Sequence, residues 1–143
     1  VATIEFTVHD KVAVVRLANP PVNAVSRQMM RDLTACFLEL AERRDVGAVV
    51  LAAAGERAFC AGIDLKERLA GGMSDGTEEL RHLTDSGRQW RDTQGAIRHC
   101  PVPVVAAVDG PAIGAGFGLV AVCDVIIASS RASLGLTEIN VGL

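Results

Sequence analysis

The sequence has no run of eighteen or more apolar residues, because its longest apolar stretches are broken by Asp109, Gly110 and Asp124. A membrane-spanning helix is therefore not expected. It has no basic block either. Its 14 Lys and Arg stand against 17 Asp and Glu, a formal net charge of -3, with both signs mixed along the chain. Nucleic acid, which needs a basic footprint, is not an expected partner. No Cys-x-x-Cys pair occurs. Cys36, Cys60, Cys100 and Cys123 are scattered, without histidines at ligand spacing, so neither a zinc site nor a disulfide framework is expected. Each stands among Ala, Val, Phe or Pro and reads as a small buried hydrophobe, which fits a reducing, cytoplasmic compartment. No basic-then-apolar leader opens the chain.

What is present is apolar material for one core: 50% of the 143 residues are hydrophobic. Ile4, Phe6 and Val8 alternate with polar residues, His9, Asp10 and Lys11 make a turn, and Val12 to Leu17 return as a second strand. Asn19-Pro20-Pro21 ends this hairpin, since proline cannot donate to a ladder. Ser26 is placed to cap a helix running to about Arg44, with Met29, Met30, Leu33, Phe37 and Leu40 on its core face. Val46 to Ala53 reads as a strand buried on both faces. Residues 71–76 have the composition of a mobile loop. An amphipathic helix from Thr77 to about His99 follows, burying Leu80, Leu83, Trp90 and Ile97. Val104 to Val108 and Val125 to Ala128 are further strands, with an apolar helix, Leu119 to Val122, between them. Strands alternating with helices make the class α/β, and residues 1–143 read as one domain. The chain begins without Met and stops at Leu143 in what looks like the middle of a domain, so a fragment is expected.

Three features carry chemistry. Ala61-Gly62-Ile63-Asp64 and Gly114-Ala115-Gly116 are glycine turns, each after a buried strand and before a helix. Such turns leave backbone N–H groups unpaired, and two of them from different strands can place two donors on one oxygen, an oxyanion hole. Either turn alone is equally simple strand-to-helix geometry. The third feature is Glu138, a lone acid in the apolar segment Leu134 to Leu143. It is a surface or helix-capping carboxylate, or a general base set in an apolar pocket. The rival is a dinucleotide site, for which Gly114 and Gly116 supply two glycines, but Leu119 holds the third position. His9, His82 and His99 read as surface residues, and no Gly-x-Ser-x-Gly elbow occurs.

Taken in order, these segments resemble the crotonase (enoyl-CoA hydratase/isomerase) superfamily. Phe59 to Leu65 is similar to its A-G-x-D-[LI] segment, and Asp109 to Gly116 to its N-G-x-x-x-G-G-G turn. Asn19 to Ala24, Cys123-Asp124 and Leu134 to Gly142 continue the pattern. The resemblance implies a crotonase-like β-β-α spiral whose C-terminal helical trimerisation region is absent from this chain. It implies an acyl-CoA thioester as substrate, with coenzyme A part of the substrate and no separate cofactor, and a homotrimer or hexamer at full length. Ile63 and Ala115 would donate the oxyanion N–H groups, Asp64, Leu65 and Lys66 would lie along the CoA, and Glu138 would be catalytic. Of the family's two glutamates the first would fall at Gly118 and is missing. The single-glutamate pattern resembles Δ3,Δ2-enoyl-CoA isomerases. The alternatives are a hydratase or a hydratase/lyase, the latter of a kind that also keeps only the second glutamate and is close in its Gly-Leu-Ser-Glu-Ile-Asn segment to Leu136 to Asn140, and a non-catalytic CoA-binding relative.

Overall fold

The computed structural model describes residues 3–70 and 76–141. Two strands, β1 (Ile4–His9) and β2 (Val12–Leu17), form the expected antiparallel hairpin, with Asp10 and Lys11 at φ 47° and 66° in its two-residue turn. The chain then crosses through α1 (Arg27–Glu42) to β3 (Ala48–Ala53), which pairs parallel to β2. A second crossover, containing α2 (Leu65–Ala70) and α3 (Gly76–Arg98), leads to β4 (Val104–Val108) beside β3. A short strand β5 (Pro111–Ile113) and α4 (Ala115–Ala121) lead to β6 (Val125–Ala128) beside β4. The main sheet has the order β1-β2-β3-β4-β6. A second, two-stranded sheet pairs β5 with β7 (Ser133–Gly135), and a 3-10 turn, η1 (Glu138–Val141), follows. The large sheet runs in sequence without reversing, so it has no switch point of the doubly wound dinucleotide kind.

The helix α1 forms where its sequence prescribes. Ser26 Oγ accepts a hydrogen bond from Met29 N at 3.1 Å, and Met29, Met30, Leu33, Phe37 and Leu40 are buried. It stops at Glu42, two residues short of the expectation. Thr93 Oγ1 of α3 lies 3.0 Å from Thr34 Oγ1 and donates to Gln89 O at 2.9 Å, closing the α1–α3 contact with a satisfied polar group. Asp124 joins β4 to β6: its Oδ2 accepts from Val104 N at 2.8 Å and its own N–H donates to Val104 O at 2.9 Å.

Several expectations change. β3 begins at Ala48, and its residues alternate between buried and half-buried. The helix α4 starts at Ala115, four residues before the apolar run that suggested it. On α3 Ile97 is buried and Trp90 half-buried, whereas Leu80 is 65% and Leu83 43% exposed. Only Cys60 is fully buried; Cys36, Cys100 and Cys123 are half-buried. β6 presents Val125, Ile126 and Ile127 as an exposed edge. The expected loop at 71–76 lies outside the described residues, apart from Gly76, which opens α3. No helix among the described residues is long and apolar enough to cross a membrane.

Asn23 ties the hairpin's exit to the route toward the glycine turns. It is 3% exposed, its Nδ2 donates to Ala54 O at 2.9 Å and Ala58 O at 3.1 Å, and its Oδ1 accepts from Asn19 N at 3.0 Å. Asn23→Ala strips buried carbonyls of their donor and puts Ala at φ 53°. We expect a loss of about 3 kcal/mol in chemical denaturation, read as a lower midpoint at unchanged slope.

Candidate active site

The site is built where the two glycine turns meet. Isolated bridges hold three segments side by side: Val25 pairs with Ile63, and Cys60 with Ala112. In the first, Val25 N donates to Gly62 O at 2.7 Å and Asp64 N donates to Val25 O at 2.9 Å. Both bonds toward Val25 are therefore made by the residues flanking Ile63, and the N–H of Ile63 points to the opposite side of the strand. In the second, Cys60 N donates to Pro111 O at 3.1 Å and Ile113 N to Cys60 O at 2.9 Å.

These bridges bring the two turns into contact. Gly62 sits at φ 99°, a backbone state that suits glycine, and a methyl group placed on it would stand 3.1 Å from Ile113 O and 3.9 Å from Ala115 N. Gly116 lies against Cys60: a methyl there would run into the Cys60 carbonyl oxygen and stand 2.8 Å from Cys60 Cβ. Ala115 opens α4 as its first residue, and Gly114 before it offers no side-chain cap. The first N–H groups of a helix have no partner within it.

Glu138 reaches the same place from the other end of the chain. β5 and β7 pair in parallel with Ile113 opposite Gly135, and Gly114 N donates to Gly135 O at 2.8 Å. Three residues beyond Gly135, Glu138 turns its carboxylate onto Gly114. A methyl on Gly114, itself at φ 55°, would stand 2.8 Å from Glu138 Oε1. Glu138 Oε2 is buried and has no hydrogen-bond partner among the described residues. A buried carboxylate oxygen without a donor is costly, and a bound group that supplies one relieves that cost. Glu138 as a whole is half-buried, at the first position of η1.

The CoA-side residues stand differently. Asp64 caps α2, its Oδ1 accepting from Lys66 N at 2.9 Å and Glu67 N at 3.2 Å. Its carboxylate is thereby occupied, and it fixes the backbone of Leu65 and Lys66, both of which are exposed. Gly118, where the resemblance would put a first glutamate, faces a side chain that leaves it little room. A methyl there would stand 2.8 Å from Trp90 Cζ2 and 3.4 Å from Gln94 Nε2. Sequence reading took Trp90 only as core packing; the sole hint of this contact is the absence of a side chain at Gly118.

Three of the four cysteines are poor nucleophiles. Burial pushes the thiols of Cys60 and Cys36 up to about 11 and that of Cys123 to about 12. The native protein at neutral pH is expected to leave these three unmodified by iodoacetamide, with labelling appearing on unfolding; mass spectrometry of the labelled chain reads this directly. His9 is exposed beside Asp10, and His99 Nδ1 contacts Gly95 O at 2.9 Å at the end of α3. No cluster of three or more metal-ligating side chains occurs among the described residues.

Comparison with known proteins agrees over almost the whole chain. The family model for enoyl-CoA hydratase/isomerase matches residues 7–143. A probable enoyl-CoA hydratase of Bacillus subtilis (strain 168) is 34% identical over 140 residues, covering 98% of this chain and 52% of that protein. The human mitochondrial Delta(3,5)-Delta(2,4)-dienoyl-CoA isomerase is 33% identical over 125 residues, 85% of this chain and 38% of its own length. The crystal structure of an enoyl-CoA hydratase from Bacillus anthracis superposes with a TM-score of 0.87 at 35% identity, covering 99% of this chain and 53% of that one. The chain thus spans about half the length of such relatives.

Proposed function

This chain belongs to the enoyl-CoA hydratase/isomerase, or crotonase, superfamily, and from that premise we propose that it binds an unsaturated acyl-CoA thioester and moves the double bond by proton transfer. The observation that carries this reading is the buried oxygen of Glu138 that stands beside the turn at Gly114 and has no hydrogen-bond partner among the described residues. The thioester carbonyl takes the N–H groups of Ile63 and Ala115. As the proton next to that carbonyl leaves, negative charge develops on the oxygen, and each preorganised donor stabilises it by ~3 kcal/mol. Glu138 takes a proton from the carbon next to the thioester of a 3-enoyl-CoA and returns it two carbons further along the chain. The double bond moves into conjugation with the carbonyl, and no water is consumed. Asp64, through its cap on α2, sets Leu65 and Lys66 against the CoA portion, whose binding orients the acyl chain.

The absence of a second carboxylate at Gly118 favours this reaction over hydration. A second carboxylate helps to hold and activate a water, whereas proton shuttling needs one base. The same proposal takes residues 1–143 as one crotonase-like unit, working without a separate cofactor in a homotrimer or hexamer. The test is to supply the full-length protein with a 3-enoyl-CoA and a 2-enoyl-CoA. Isomerisation of the first faster than hydration of the second is the expected result. Hydration outrunning isomerisation refutes the choice of reaction in favour of a hydratase, and saturable binding without turnover of either refutes it in favour of a non-catalytic relative.

A further inference from the structure

Gly114 and Gly118 lie one turn apart at the start of α4, with Gly118 N donating to Gly114 O at 3.0 Å. The Cβ direction of Gly114 meets Glu138; that of Gly118 meets the six-membered edge of the Trp90 indole, Cζ2 at 2.8 Å and Cη2 at 3.6 Å. Trp90 is half-buried and packed against the core, and the neighbouring turn of α3 is pinned by Gln94, whose Nε2 donates to Gly118 O at 3.3 Å. The indole is a rigid body fixed on a helix, so it does not yield as the tip of a lysine would. The missing side chain at Gly118 and the tryptophan that takes its room are thus two halves of one feature.

We propose that Trp90 determines the reaction's specificity: its indole edge walls the site one turn from Glu138 and occupies the space in which a side chain on Gly118 would hold a nucleophilic water. This rests on the acyl-CoA reading above. With that space filled by an apolar edge, the dienolate formed by Glu138 is reprotonated rather than replaced by a route that adds water across the conjugated double bond. Isomerisation relocates one proton and leaves the formula unchanged; hydration adds O–H to one alkene carbon and H to the other. The wall acts on the second process alone. It also predicts that Gly118→Glu by itself does not create a hydratase, because the new side chain starts in contact with a ring carbon.

The part of the indole emission that Trp90→Phe removes reports Trp90 directly. Titration with butyryl-CoA should change that part saturably, and CoA without an acyl group should produce little of the change. Calorimetry on the same samples keeps the two claims apart. Failure to bind any acyl-CoA overturns both, whereas acyl-CoA binding with unchanged indole emission overturns the role of Trp90 alone. As a second measurement, the ratio of hydration to isomerisation should rise at least about tenfold in Trp90→Ala/Gly118→Glu over Gly118→Glu, a modest part of what a positioned acid–base group contributes. A ratio that stays put in a double variant still able to isomerise overturns the proposal.

Discussion

Glu138→Gln is expected to lower acyl-CoA turnover by roughly 10²–10⁴-fold while leaving thioester binding nearly intact, the range that a positioned proton-transfer group contributes. The substitution keeps the shape of the side chain and so its contact with Gly114, but an amide cannot accept and return a proton at working pH. The carboxylate oxygen Oε2 has no hydrogen-bond partner among the described residues, so the substitution breaks no hydrogen bond of that oxygen there. Turnover should therefore drop with little change in KM or in the calorimetric affinity for butyryl-CoA, the pattern of an interaction used in the transition state. A variant with near-normal turnover removes Glu138 from the mechanism. One that no longer binds thioester assigns it a structural role.

Gly116→Ala is the stability counterpart. The added methyl has to share space with the carbonyl oxygen of Cys60, and that carbonyl is already held by the N–H of Ile113. Neither partner is the end of a flexible side chain. Relief requires α4 to lift away from the Cys60 strand, which also separates Ala115 from the Gly62–Ile63 turn. Overpacking in a well-packed interior costs about 1–3 kcal/mol and more where backbone has to move. We expect at least ~3 kcal/mol here, enough to leave little of a marginal domain's stability. Thermal and denaturant unfolding check it. A stable, active Gly116→Ala protein contradicts the close approach of α4 to Cys60.

The elements that could be read directly from sequence are those made by local pattern. The hairpin followed from alternation around Asp10-Lys11, and α1 from Ser26 and the spacing of Met29 to Leu40. The elements that escaped are those whose existence depends on a partner far away. β5 and β7 are three residues each and pair because Ala112 meets Leu134 across the chain. Their register brings Glu138 onto Gly114, so the acid could be singled out in sequence as an oddity while its seat could not. Leu80 and Leu83 show the converse: apolar residues at helical spacing satisfy the pattern of a buried face without any described element covering them. Trp90 read as core because its spacing on α3 agrees with core. Only the missing Cβ of Gly118, a property of a different helix, reveals what its ring excludes.

The glycine turns sit between these extremes. Gly62 and Gly114 were recognisable as places where the chain turns sharply, and both adopt positive φ. That they touch was a matter of which strands neighbour which. The parallel order β3-β4 and the bridges from Cys60 and Val25 decide it. The resemblance to a family supplied that neighbourhood as an expectation before any strand order was known.

All of this depends on two main-chain donors, Ile63 and Ala115, sharing one thioester oxygen. A crystal structure of the full-length protein with an unreactive acyl-CoA analogue measures that most directly. The account predicts the carbonyl oxygen within about 2.7–3.1 Å of both nitrogens, with the carbon that loses its proton facing Glu138. A bound thioester whose oxygen contacts neither amide, or only one, contradicts it.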